Sequence, residues 1–137
     1  MKRVSQLTAL ALLCGLASFS SQAAEMANSL TLSQLQAQHG TPVDTRASAF
    51  YNGWPQTLSG PSGHEPAALN LAASWLDAMS DEQLARWAKQ HQLSPATPVA
   101  LYGDDSANQA VKARLEKAGY HAISLLSDAL QTPDRLQ

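Results

Sequence analysis

The side chains best placed for chemistry gather in the tetrapeptide Gly103-Asp104-Asp105-Ser106, which follows the apolar run Val99-Ala100-Leu101-Tyr102. A glycine-containing loop between a strand and a helix can offer backbone N–H groups and a positive helix end to phosphate, sulfate or thiosulfate. The two carboxylates oppose that use. Asp104 and Asp105 occupy the favourable end of the dipole themselves, contributing about 0.3–1 kcal/mol each at an exposed terminus while repelling an anion. As cation ligands they are two adjacent carboxylates without further spaced oxygens, a weak calcium pattern, so a solvated helix start is the reading. Ser106 has no recognisable base partner. His64 could serve as a general base, but no nucleophile or orienting carboxylate pairs with it in the sequence. Asp44 and Arg46 could line a crevice, although a structural role, as an ion pair or in hydrogen bonds to the neighbouring loop, is the favoured reading. The histidines His39, His64, His91 and His121 show no i, i+3 or i, i+4 pair and no thiolates to join them, so neither a metal nor another cofactor is expected.

These residues need elements to position them. Ser33 can cap a short helix carrying Leu35, which Gly40 stops before an extended segment over Thr41 to Thr45. A brief helical stretch follows around Ala47 to Tyr51, then a Gly/Pro-rich surface loop from Asn52 to Pro66. Leu69-Asn70-Leu71 alternates like a short strand, and Ala72 to Met79 has helical character. Ser80-Asp81-Glu82-Gln83 is a capping box, opening a helix whose Leu84, Trp87, Ala88 and His91 fall at core spacing. Val99 to Tyr102 is nearly continuous in apolar character and predicts a central strand covered on both faces. A helix from Ser106 to Ala118 presents Ala107, Ala110, Val111, Leu115 and Ala118 as one stripe, Gly119 stops it, and a strand over Ala122 to Leu126 follows. Strands near residues 43, 70, 100 and 124, alternating with helices, predict an α/β fold: an open parallel sheet with helices on both faces and right-handed crossovers. In such sheets function lies beyond the carboxyl ends of the strands, which directs attention back to Gly103-Asp104-Asp105-Ser106.

The N-terminus reads as an export signal. Lys2 and Arg3 precede an apolar run from Leu7 to Phe19, about 13 residues against the about 20 of a membrane-spanning helix. The small-residue pattern Ser21-Gln22-Ala23 predicts cleavage after Ala23. Leu13 stands where a lipoprotein signal needs a small residue before Cys14, so the exported product is expected to be soluble and free of the membrane. Cys14 is the single cysteine and is lost with residues 1–23, so the mature part has no thiol with which to act. A length of about 114 residues suffices for one core without disulfides. Eleven acidic residues against nine basic, two of the latter removed with the signal, leave a net charge near −4. Nucleic acid is therefore an unsuitable partner.

Taken in order, Asp44-Thr45-Arg46, Gly63-His64-Glu65-Pro66-Ala67-Ala68-Leu69-Asn70-Leu71, Val99-Ala100-Leu101-Tyr102 and Ala118-Gly119-Tyr120 resemble the signposts of the rhodanese (thiosulfate sulfurtransferase) family over nearly the whole mature chain. The family's motifs are Asp-x-Arg at a strand end, a Gly-His-x-Pro-Gly-Ala-x-Asn run, and an apolar strand entering the catalytic loop. The export signal together with Tyr51-Asn52-Gly53-Trp54-Pro55 is similar to the catalytically silent N-terminal domain of three-domain periplasmic members from enterobacteria. The resemblance implies a rhodanese-like fold, a location in the periplasm and a parent reaction that moves sulfane sulfur to a thiophilic acceptor. It also implies a six-residue catalytic loop that begins with cysteine and ends with arginine. Here the loop is Gly103, Asp104, Asp105, Ser106, Ala107 and Asn108, with Gly103 in the cysteine's place and Asn108 in the arginine's. Sulfur transfer needs a thiolate that attacks the outer sulfur of thiosulfate and carries it as a persulfide. Glycine offers nothing equivalent, and no catalytic residue is expected.

Three domain segments are expected: a signal peptide over 1–23, a degenerate rhodanese-like domain over 24–130 and a linker-like tail over 131–137. The tail's polar residues around Pro133 suggest an N-terminal piece of a longer enzyme. The favoured function is a silent domain that docks, in cis or in trans, with catalytic rhodanese domains. Trp54, flanked by small and polar residues, is the candidate interdomain contact; the competing reading is that it covers the domain's own core. A free-standing periplasmic module that binds a small ligand or protein comes second, and an enzyme of unrecognised chemistry third.

Overall fold

The computed structural model describes residues 29–137 and arranges five strands in one all-parallel sheet of order β1-β5-β4-β2-β3. The strands are β1 (Ser29–Leu30), β2 (Thr41–Asp44), β3 (Leu69–Asn70), β4 (Val99–Tyr102) and β5 (Ile123–Leu126). The helices are α1 (Leu32–Ala37), α2 (Ser48–Tyr51), α3 (Asp81–Gln90) and α4 (Asp105–Lys117), with 3₁₀ segments at Ala73–Ala78 and Pro133–Arg135. The expected signal peptide, its cleavage after Ala23 and Cys14 lie outside the described residues. Among the described residues no helix is long and apolar enough to cross a membrane.

The apolar run Val99–Tyr102 is the middle strand, paired on one side with β2 and on the other with β5. All four of its residues are buried because successive side chains point to opposite faces and both faces are covered. Val99 and Leu101 join Val43, Leu84, Ala88, Val111 and Leu115 in a core beneath α3 and α4. Ala100 and Tyr102 join Leu32, Leu35 and Leu126 in a second core beneath α1. This is the anticipated open α/β sheet with helices on both faces. Leu101 is fully buried, and truncating such a leucine to alanine costs about 2–5 kcal/mol.

Local signals set the element boundaries, with some differences from the sequence reading. Ser80 and Gln83 form the predicted reciprocal capping box at the start of α3. Thr31, not Ser33, caps α1: Gln34 N–H donates to its hydroxyl and Thr31 N–H donates to the Gln34 side chain. A second Thr-x-x-Gln box thus starts the helix two residues earlier and leaves Ser33 inside it. The preceding β1, two residues paired in parallel with Leu125 and Leu126, is too short to show periodicity. His91, expected on the core face of α3, is exposed because it is the C-cap; its Nδ1 lies 2.8 Å from the Trp87 carbonyl oxygen. The Ala73–Ala78 segment winds as a 3₁₀ helix, held at its end by Arg114, whose guanidinium donates to the Leu76 and Met79 carbonyls at 2.8 and 2.7 Å.

Residues 131–137 do not behave as the linker-like tail that their polarity suggests. Arg135 reaches the buried Glu65 at 2.7 Å, and Gln137 exchanges backbone hydrogen bonds with His64. Arg135 and Glu65, which the sequence reading did not connect, supply the tail's attachment.

Candidate functional site

Strand order reverses between β2 and β4. From β2 the chain moves outward to β3, whereas β4 is laid on the other side of β2 and is followed by β5. The loops leaving β2 and β4 therefore diverge, opening the crevice expected at a topological switch point. Thr45, Arg46, Ala47, Phe50, Gln56, Ala73, Ser74, Asp104 and Ala107 line this cleft of ≈ 250 Å³. The geometry brings together two of the sequence-derived groups, the Asp44–Arg46 pair and the Gly103–Asn108 loop.

The loop closes on itself. Asp104 is the N-cap of α4, its carboxylate accepting from Ala107 N–H at 2.8 Å and from the Ser106 hydroxyl at 3.0 Å. These hydrogen bonds hold the Asp104 carboxyl below its ordinary range, the Ala107 amide contributing most and Ser106 next. A negative side chain thus occupies the helix end that an incoming anion would need, and Ser106 is oriented toward a carboxylate rather than a base. Asp105 stands exposed in the first turn. Asn108 is buried and turned inward, where its Oδ1 accepts from the Thr45 hydroxyl at 2.7 Å.

Gly103 adopts φ +147° and packs against the end of β2. A Cβ on this residue would collide with Thr45 Oγ1. Thr45 is held there from several sides: its N–H donates to the Tyr102 carbonyl at 2.9 Å, and its hydroxyl lies 3.1 Å from the same oxygen. The space of a side chain at the loop's first position is therefore taken up by the threonine between Asp44 and Arg46.

Asp44 and Arg46 form the ion pair favoured from sequence, with both side chains almost wholly buried. Arg46 Nε and Nη2 grip the carboxylate at 3.0 and 2.6 Å, and Nη2 also donates to the Gly63 carbonyl at 2.7 Å. Burial pulls the guanidinium down, but the hydrogen bond and charge of Asp44 more than offset it, so Arg46 is held above its ordinary value. Its Nη1 is buried with no hydrogen-bond partner among the described residues, while the guanidinium carbon lies 5.7 Å from the Tyr102 ring centre, within cation–π range. The Tyr102 hydroxyl accepts from Glu65 N–H at 2.9 Å; burial, reinforced by the Asp44 charge, pushes it far above the ordinary tyrosine value.

His64 stacks on Tyr51, with ring centres 3.9 Å apart and planes within 8°, and its Nδ1 lies 2.8 Å from the Tyr51 carbonyl. These contacts with Tyr51 close the neck of the long loop. Trp54 is far from covering the core: it is 72 % exposed, and Leu58 near it is fully exposed. Among the described residues no group of three histidine, cysteine or acidic side chains is placed to hold a metal ion. Thr45, Glu65 and Tyr102 were not singled out as functional from sequence. The signal for Thr45 is its position between the charged residues of Asp44-Thr45-Arg46.

A family model for the rhodanese-like domain matches residues 22–131. The chain is 68 % identical over its whole length to thiosulfate sulfurtransferase YnjE of Escherichia coli K12 and spans 32 % of that protein. The crystal structure of YnjE superposes with a TM-score of 0.79 at 67 % identity, over 80 % of this chain and 27 % of that one. The anaerobic ergothioneine biosynthesis enzyme of Chlorobium limicola, in complex with trimethyl histidine, gives a TM-score of 0.59 at 25 % identity over 72 % and 24 %. The chain thus spans about a third or less of each of these relatives.

Proposed function

This chain belongs to the rhodanese-like domain family, and from that premise we propose that it is a non-catalytic domain serving thiosulfate sulfurtransfer. The observation that carries the reading is the collision awaiting any Cβ at Gly103. In the parent reaction a cysteine thiolate attacks the outer sulfur of thiosulfate, sulfite leaves, and the persulfide passes its sulfur to an acceptor such as cyanide. Glycine at that position offers no side-chain atom to carry the sulfur. The Asp104 cap supports the same reading, because the first-turn amide of Ala107 is engaged by an internal carboxylate. The residues at the loop are suited to packing rather than to turnover.

The proposal includes export to the periplasm, supported by the pattern of residues 1–23, and docking to a catalytic rhodanese domain in cis or in trans. Docking is supported by the threefold greater length of the matched sulfurtransferase and by Trp54, a large side chain left open to solvent. The test is thiocyanate production from thiosulfate and cyanide by the purified chain, beside a buffer blank and an active rhodanese. No thiocyanate above the blank is expected. Turnover above it would overturn the assignment and make the Gly103–Asn108 loop the first target for mutation.

A further inference from the structure

Glu65 is a fully buried carboxylate that the cleft does not use. Its oxygens receive the C-terminal segment. Leu130 N–H donates to Oε1 at 2.7 Å, Arg135 Nη2 to Oε1 at 3.0 Å, and Arg135 Nε to Oε2 at 2.7 Å. Arg135 also donates to the Asp128 carbonyl at 2.8 Å. Beyond it, His64 N–H donates to the Gln137 carbonyl at 3.0 Å and Gln137 N–H donates back to His64 at 2.9 Å. Gly63 permits that approach, since a Cβ there would strike the Gln137 carbonyl.

We infer that residues 127–137 form a C-terminal clasp, fastened through Arg135 to Glu65, which fixes the point at which the polypeptide leaves the domain. The clasp is joined to the degenerate loop rather than merely laid on the surface. Glu65 N–H donates to Tyr102, the residue before Gly103, and Arg46 donates to the Gly63 carbonyl. An isolated buried carboxylate is very costly, whereas one held by a bidentate arginine and a backbone N–H is compensated. The pairing with Glu65 is also the main cause holding the Arg135 guanidinium above its ordinary value.

The position of the clasp has a consequence for docking. Gln137 ends at His64, which stacks on Tyr51, and Trp54 is three residues from Tyr51, at most about 11 Å along the chain. Polypeptide continuing beyond residue 137 would start beside the Trp54 loop. That consequence rests on the docking reading above; the clasp does not.

The test is amide hydrogen exchange and ¹⁵N relaxation on the full chain and on R135M. In the unmodified chain the amides of Leu130 and Gln137 should be protected, with order parameters for residues 130–137 near the rigid value of about 0.85. R135M should accelerate exchange at these two amides on the order of 100-fold, with less change at Leu101. Order parameters below about 0.6 in the unmodified chain would overturn the clasp even if R135M failed to fold. Unaltered exchange in a folded R135M would overturn it as well. Absence of docking to a catalytic rhodanese domain with the clasp intact would count against the docking reading alone.

Discussion

The hydroxyl of Thr45 fills the space that a side chain on Gly103 would need. It is fixed there by donating to Asn108 Oδ1, while the Thr45 amide donates to the Tyr102 carbonyl. The first and last residues of the Gly103–Asn108 loop therefore meet at one residue of β2's exit. The loop is packed around Thr45, and a side chain at residue 103 needs that packing to change.

Gly103→Cys should give no thiocyanate from thiosulfate and cyanide, and it should destabilise the fold. A non-glycine residue at a sparsely populated backbone conformation costs about 1–3 kcal/mol, to which the contact with Thr45 adds. Thermal unfolding would show the loss. Adding Thr45→Ala to Gly103→Cys should recover part of the melting temperature by removing Oγ1, while the strain from φ remains. A single cysteine variant as stable as the parent would mean that the loop moves aside freely.

Asp104 should make stability depend on acid. Its pKa in the fold lies below the reference value of 3.8 because the charged form accepts from Ala107 and Ser106. The sign follows from linkage: the depressed carboxylate stabilises the fold above the unfolded value, and that contribution is lost as pH falls through the folded one. Asp104→Asn keeps a capping side chain but cannot titrate there. Melting curves from pH 5 down to pH 2 should therefore fall less steeply for the variant, and identical slopes would remove Asp104 from the account. The group is exposed, so the effect is a few degrees at most.

Legibility in the sequence followed the range of each interaction. The sheet was readable because β4 is apolar along its whole length and because α3 and α4 carry their own periodicity and stops. Asp104 was readable as part of a helix start, but its capping role was not, because the helix reads from Ser106 in sequence and opens at Asp105. Glu65 and Arg135 were not, since they are 70 positions apart and each resembles an ordinary surface charge. The same separation made the tail look like a linker. Gly103 and Asn108 were found through the resemblance to a family, but the residue that joins them, Thr45, becomes visible only when β2 and β4 lie side by side.

Trp54→Ala separates folding from docking. The side chain is mostly exposed and contributes little to the core, so the melting temperature should correspond to a change within about 0.5 kcal/mol. Binding to a catalytic rhodanese domain should weaken by about 2 kcal/mol or more, as expected for a tryptophan at the centre of an interface. Calorimetric titration against the part of the E. coli relative outside the matched segment would measure it. Unchanged affinity would remove Trp54 from the docking surface.

Ala67→Gly should stabilise the protein. Ala67 sits at φ +62° in the turn from Glu65 to Ala68, which is closed by Ala68 N–H donating to the Glu65 carbonyl at 3.0 Å. Pro66 and Ala67 are the central residues, and a positive φ at the second of these is where type II turns take glycine. The rhodanese run also carries glycine at this place. Left-handed backbone costs an alanine about 1–2 kcal/mol, while glycine adds about 0.4–1 kcal/mol of chain entropy to be lost on folding. The difference favours glycine by roughly 0.5–1 kcal/mol, and the exposed methyl group of Ala67 gives up little packing. Because the turn begins at Glu65, tightening it should also slow exchange at the Leu130 amide. A lower melting temperature for Ala67→Gly would mean that the turn is not held in the left-handed conformation from which Glu65 receives the clasp.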